Sequence, residues 1–173
     1  RFFSTSKWVT YLSNTLILSL MSIVFTFPAP IILALMLNEI RNMHYKKLTQ
    51  TLLYMPHFIS TVVICSMISL FFAQETGFVT KIIGSITGEA PKWLTSADAF
   101  PHLYVWSGVW QQLGWNCVIY VAALSGIDPT QHEAAAIDGV HSRWEELWYV
   151  TLPSMKPMLI FGGLNQIVTA FSV

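Results

Sequence analysis

The sequence predicts an all-α integral membrane protein, and three observations carry that prediction. Of its 173 residues 54% are hydrophobic and 10% charged, against about 25% charged in ordinary globular domains. The charged residues fall into four blocks, 1–7, 39–47, 75–98 and 128–156, and the stretches between them, 8–38, 48–74, 99–127 and 157–173, carry none. The last charged block contains a doubly capped helical segment between two apolar runs.

Three of the charge-free stretches exceed the ~20 residues a helix needs to cross the hydrocarbon core. In lipid a backbone must satisfy its own hydrogen bonds, so these stretches read as helices. The spans fall near 12–37, 52–72 and 103–124, with a fourth from 158 to 173. A soluble helical protein would need amphipathic helices to cover its core, and these runs show none. Pro28 and Pro30 should kink the first span and Pro56 the second, because each proline removes a helix hydrogen bond. The third span is the least apolar: it holds Gln111, Gln112 and Asn116 among Trp106, Trp110 and Trp115. Polar side chains at membrane depth face a protein interior or a wet cavity, while Tyr104 and Trp106 also suit an interfacial anchor.

The chain starts at Arg1 and stops at Val173 inside an apolar run, so it reads as a piece of a longer polypeptide. No signal peptide is visible, the first apolar run being too long for an h-region. Net charge is zero, which argues against a nucleic-acid partner, since that needs a clustered basic surface. Cys65 and Cys117 each sit in an apolar run without CxxC spacing, reading as buried thiols. The five histidines, His44, His57, His102, His132 and His141, form no HExxH. With no Walker or GxSxG motif either, the sequence offers no catalytic, metal or cofactor site. His57 beside Pro56 reads as a boundary histidine, and Gly162-Gly163 as a close helix contact.

The segment 128–157 is the informative one. Asp128, Pro129 and Gln131 predict an N-cap, a proline at the first helical position and a capping-box partner. A short helix follows from Thr130 to Asp138, rich in alanine, and Gly139 is placed to end it in a left-handed conformation. Ser142 and Glu145 predict a second capping box and a second helix running to about Val150. On residues alone, this helix–turn–helix is equally an amphipathic connector on the membrane surface.

Glu133-Ala134-Ala135, Asp138-Gly139, Val150-Thr151-Leu152-Pro153 and Pro157 resemble the EAA loop of binding-protein-dependent ABC importer permeases. One departure stands out: ten residues separate Gly139 from Val150, one more than the family pattern has, and the addition is expected in the turn near His141. Weaker matches at Asn14-Thr15, Tyr54-Met55-Pro56 and Trp106 to Trp115 resemble the carbohydrate branch of the family, and within it the polysaccharide or oligosaccharide uptake permeases common in Gram-positive bacteria.

The resemblance implies a partial type I ABC importer permease bundle in the bacterial cell membrane, multi-pass and in contact with membrane lipid. It implies the second to fifth of six spans. It also sets loop 128–157 on the cytoplasmic side, which a count of five basic residues (Arg41, Lys46, Lys47, Arg143, Lys156) against four (Arg1, Lys7, Lys81, Lys92) does not. The implied partners are ABC ATP-binding subunits, a second permease subunit and an extracytoplasmic solute-binding protein. Glu133, Ala134, Ala135, Asp138, Gly139, Leu152 and Pro153 would dock on the ATPase, and ATP hydrolysis would occur there. Gln111, Gln112, Asn116, Asn165 and Gln166 are candidate path residues for a neutral sugar; the alternative role is interhelical hydrogen bonding. Two other readings keep part of this picture: the same fold carrying a peptide, amino acid or other small solute, or a secondary transporter or channel with no ATPase partner.

Overall fold

The computed structural model describes residues 8–170. Arg1, Lys7 and the last residues of the fourth expected span, 171–173, lie outside the described residues. Among the described residues all regular structure is helical.

Helix α1 (Trp8–Thr26) passes into α2 (Pro28–Asn38) at Phe27. Pro28 and Pro30 cannot donate to the preceding turn, but Phe27 stays helical and its N–H still reaches the Ile23 carbonyl at 3.1 Å. The proline pair therefore marks a joint inside one 31-residue apolar helix, among the described residues the one helix long and apolar enough to span a membrane outright.

The stretch read as a single span over 52–72 is two helices. Helix α3 (Met43–Tyr54) tightens into a 3₁₀ turn at Met55–Phe58, and α4 (Thr61–Phe71) leaves at 93°. Pro56 at the start of the 3₁₀ turn weakens the helix there. Ile59 then adopts an extended conformation, and the Ser60 hydroxyl caps the new helix by accepting from the Val63 N–H at 3.4 Å. Ser60 thus supplies the cap from which a second helix starts in a new direction.

Helix α5 (Phe78–Thr87) connects to α6 (Ala99–Ser125), a 27-residue helix without a break. Beyond it, α7 (Pro129–Ile137) and α8 (Arg143–Glu146) form the helix–turn–helix. The second helix was expected to stop near Val150; instead it widens into a π turn at Leu147–Thr151 and continues as α9 (Leu152–Ala170). In the π turn the Leu152 N–H bonds the Leu147 carbonyl, five residues back. The wider turn lies directly before Pro153, whose missing N–H already interrupts the regular ladder.

The core joins α2, α6 and α9 through Ala34, Leu37, Cys117, Tyr120, Leu124 and Met155. Two glycines make the helix crossings possible. A Cβ on Gly114 would stand 2.0 Å from the Leu53 carbonyl oxygen, and one on Gly162 would stand 2.0 Å from the Tyr120 hydroxyl. The expected close contact at Gly162 is thus present, on α6. Ser19, inside α1, donates to the Ala170 carbonyl at 2.8 Å, tying the end of α9 to α1. Cys117 is buried as expected, whereas Cys65 is exposed on α4, which bends away from this core. Outward faces carry many bare apolar side chains, Leu20, Val24, Val62 and Leu70 among them, which suits lipid or a neighbouring subunit and not water.

Candidate functional site

Two regions bring the sequence-predicted residues together. The first is the loop between α6 and α9. Asp128 caps α7, its Oδ1 accepting from the Thr130 N–H at 2.9 Å, and hydrogen bonding from Thr130 holds its carboxyl below the ordinary carboxylate value. Gln131 does not complete that cap: its Oε1 accepts from Ser154 Oγ on α9 at 2.8 Å. A distant hydroxyl outcompetes the local capping geometry because α7 folds back against the helix that follows it.

The end of α7 is a complete Schellman motif. Gly139 sits at φ +94, its N–H bonds the Ala136 carbonyl at 3.4 Å, and the Val140 N–H bonds the Ala135 carbonyl at 3.0 Å. Both last-turn carbonyls are satisfied, at the cost of a left-handed residue that favours glycine. The second helix opens with the expected capping box, Ser142 and Glu145 bonding reciprocally. The turn 139–141 therefore separates two helices capped on both sides.

Side-chain links then fix the helices to one another. His132 Nδ1 lies 2.6 Å from Glu146 Oε1, and Arg143 pairs with Glu39 just past α2. None of these pairings was legible from sequence spacing. The outer face presents Ile137 and Trp148, while Trp144 borders the hollow toward α2 and Tyr149 the groove beside Ala135; all four are at least 65% exposed. Glu133 and Ala134 lie on the surface as well; Ala135 is half-buried beside Asp138, Val140 and Tyr149 along a groove. Leu152 is half-buried and Pro153 exposed. Clustered bare apolar and aromatic side chains mark a surface that meets a partner or a membrane.

The second region lies mid-way along α6. Gln111 Nε2 donates to the Ile59 carbonyl at 2.9 Å, satisfying a backbone group that the 93° break releases. Gln112 Oε1, which only accepts, lies 3.1 Å from His57 Nδ1, so that nitrogen carries the proton. The His57 ring stacks on Trp115 at 4.5 Å with 4° between planes. Gln111 and Gln112 thus bracket the broken helix. His57 is a partner that sequence reasoning left at the boundary; its place beside Pro56 was the available signal.

Asn116, Asn165 and Gln166 converge separately on a cavity of about 160 Å³ between α6 and α9, with Trp115, Tyr120 and Phe161 in its wall. Amides and aromatic faces together can hydrogen-bond hydroxyls and stack on the apolar face of a pyranose ring. Charged side chains are absent from this lining.

The chain matches the family model for the binding-protein-dependent transport system inner membrane component over residues 13–172. It is 40% identical over 159 residues to protein LplB of Bacillus subtilis, covering 92% of this chain and 50% of that one. It is 36% identical over 160 residues to the polygalacturonan/rhamnogalacturonan transport system permease protein YteP of the same organism, again 92% and 50%. A crystal structure of a bacterial ABC transporter involved in import of the acidic polysaccharide alginate superposes with a TM-score of 0.92 at 33% identity, over 99% of this chain and 59% of that one. The alginate transporter in complex with an alginate pentasaccharide-bound periplasmic protein gives 0.85 at 36% identity, over 91% and 54%. The chain spans about half the length of the curated relatives it matches.

Proposed function

Because the chain belongs to the family of binding-protein-dependent transport system inner membrane components, we propose that it forms the membrane path of an ATP-driven importer for a sugar or oligosaccharide. It crosses the membrane several times, and loop 128–157 lies in the cytoplasm, docked on an ATP-hydrolysing subunit. A second permease subunit completes the path, and an extracytoplasmic solute-binding protein delivers the cargo. Hydrolysis belongs to the docked subunit.

One observation carries the docking role. A rigid, doubly capped helix–turn–helix exposes Ile137, Trp144, Trp148 and Tyr149 while its inner side is fastened by Gln131–Ser154 and His132–Glu146. Bare aromatic side chains on a fixed scaffold suit a cleft in a partner. Small Ala134 and Ala135 let that partner approach α7, and exposed Glu133 is available to a basic group on it. Since the second helix is continuous with α9, a displacement of the docked loop tilts that helix directly. Alternating access then follows from rigid-body rocking about a midplane site.

The cargo reading rests on the uncharged amide cavity of Asn116, Asn165 and Gln166, and on the polysaccharide named for YteP and for the alginate transporter. Gln111 and Gln112 border the same path while holding the α3–α4 break. Purifying the tagged full-length chain in mild detergent tests the assembly. Recovery of an ATP-binding subunit is expected, and its consistent absence would leave a carrier or channel without an ATPase.

A further inference from the structure

The loop is gripped from three sides, two of them covalent. Helix α6 enters α7 through the short link 126–128, and α8 runs through the π turn into α9. The third grip is a single side-chain pair, Arg143 of α8 with Glu39 at the end of α2. Around that pair the two elements stand apart, across a hollow of about 560 Å³ between Leu35 and Met36 on one wall and Trp144 and Leu147 on the other. Packing therefore does little to fix α2 against α8. Yet α2 is the cytoplasmic half of the first long helix, and Ala34 and Leu37 place it in the core with α6 and α9.

We infer that Glu39 and Arg143 are a positioning pair that makes the inner half of the first span move together with the coupling loop. This rests on the docking role proposed above and adds a third limb to it. Without the pair, motion of the docked loop reaches α6 and α9 through the backbone but reaches α2 only through the packed core. With it, the α2 end is held at the loop itself. The pair is exposed, 70% for Arg143 and 60% for Glu39, so its contribution to global stability is small. Its effect is on the relative placement of two bodies that little else joins.

Spin labels at Asn38→Cys on α2 and His141→Cys in the turn before α8, with Cys65→Ser, report that placement by dipolar electron resonance. The sample is the full-length chain in nanodiscs with its companion permease and ATPase subunits. The parent complex is expected to give one narrow distance distribution, unchanged between nucleotide-free and ATP-vanadate states. Glu39→Arg or Arg143→Glu should open a second distance population, the tied one falling relative to it by up to about five-fold. The double reversal Glu39→Arg with Arg143→Glu should restore the single population. Unchanged distances in the single variants, or no recovery in the reversed pair, would overturn the inference. ATPase subunits are quantified in the same preparations. Their absence from the parent complex removes the docking reading and this inference together, whereas their retention with unmoved distances removes the inference alone.

Discussion

The imidazole of His57 lies parallel to the indole of Trp115, 4.5 Å away, and its Nδ1–H donates to Gln112 Oε1 at 3.1 Å. One residue earlier on α6, Gln111 donates to the Ile59 carbonyl. Together these contacts hold the only described point where a helix turns by 93°. A backbone carbonyl released by a helix break is costly to leave unpaired; here Gln111 satisfies it while Gln112 holds the His57 side chain beside it. Gln111→Leu keeps the volume and removes the donor. It should lower the unfolding free energy by about 1 kcal/mol, read as a drop in thermal midpoint in detergent. Trp115→Ala should loosen the same elbow, detected as faster amide exchange over residues 57–60.

The crossing of α6 and α9 makes a sharper test. Gly162→Ala places a methyl 2.0 Å from the Tyr120 hydroxyl. Overpacking of this kind costs about 1–3 kcal/mol. Tyr120→Phe removes the clashing oxygen, so the double variant should regain part of the loss. A thermal-shift double-mutant cycle measures the coupling; additive losses would mean that the two side chains do not meet.

Gly139 should tolerate little else. A side chain at φ +94 carries a left-handed penalty of about 1–2 kcal/mol, and the two Schellman bonds fail if the residue leaves that region. Gly139→Asp should reach the membrane at normal abundance yet recover much less ATP-binding subunit on purification, with Gly139→Asn milder. Normal recovery from Gly139→Asp would separate the turn from docking.

The Asp128 cap has a pH signature. Backbone hydrogen bonding from Thr130, chiefly, depresses its folded-state value. A depressed carboxylate stabilises the fold above its unfolded value, 3.8, and that contribution fades as pH falls through the folded one. Amide exchange in the first turn of α7 should therefore be protected equally from pH 5 to 7, after correction for intrinsic rates, and lose protection in stronger acid. Asp128→Asn should abolish the acid step and keep much of the cap.

Much of this was legible in the chain itself. Charge blocks located the long helices, and the Ser142–Glu145 spacing and Gly139 located the turn, because caps and left-handed glycines are local chemistry. What escaped depended on distant partners. Gln131 bonds Ser154, and Glu39 lies 104 residues from Arg143. The break at Ile59 needed Gln111 across the core, so Pro56 alone suggested only a kink. The continuity of α8 with α9 hid behind Pro153, which reads as a stop until the π turn is seen.

Photo-crosslinking reads out whether loop 128–157 seats in an ATP-hydrolysing partner. A benzophenone amino acid replaces Trp148, 65% exposed on the outer face, in the full-length protein in native membranes, and the adduct is identified by mass spectrometry. An adduct to an ATP-binding subunit is expected, its yield changing when ATP and vanadate trap the closed state. An adduct to lipid alone, with a matching Ile137 probe equally silent toward that subunit, would contradict that seating.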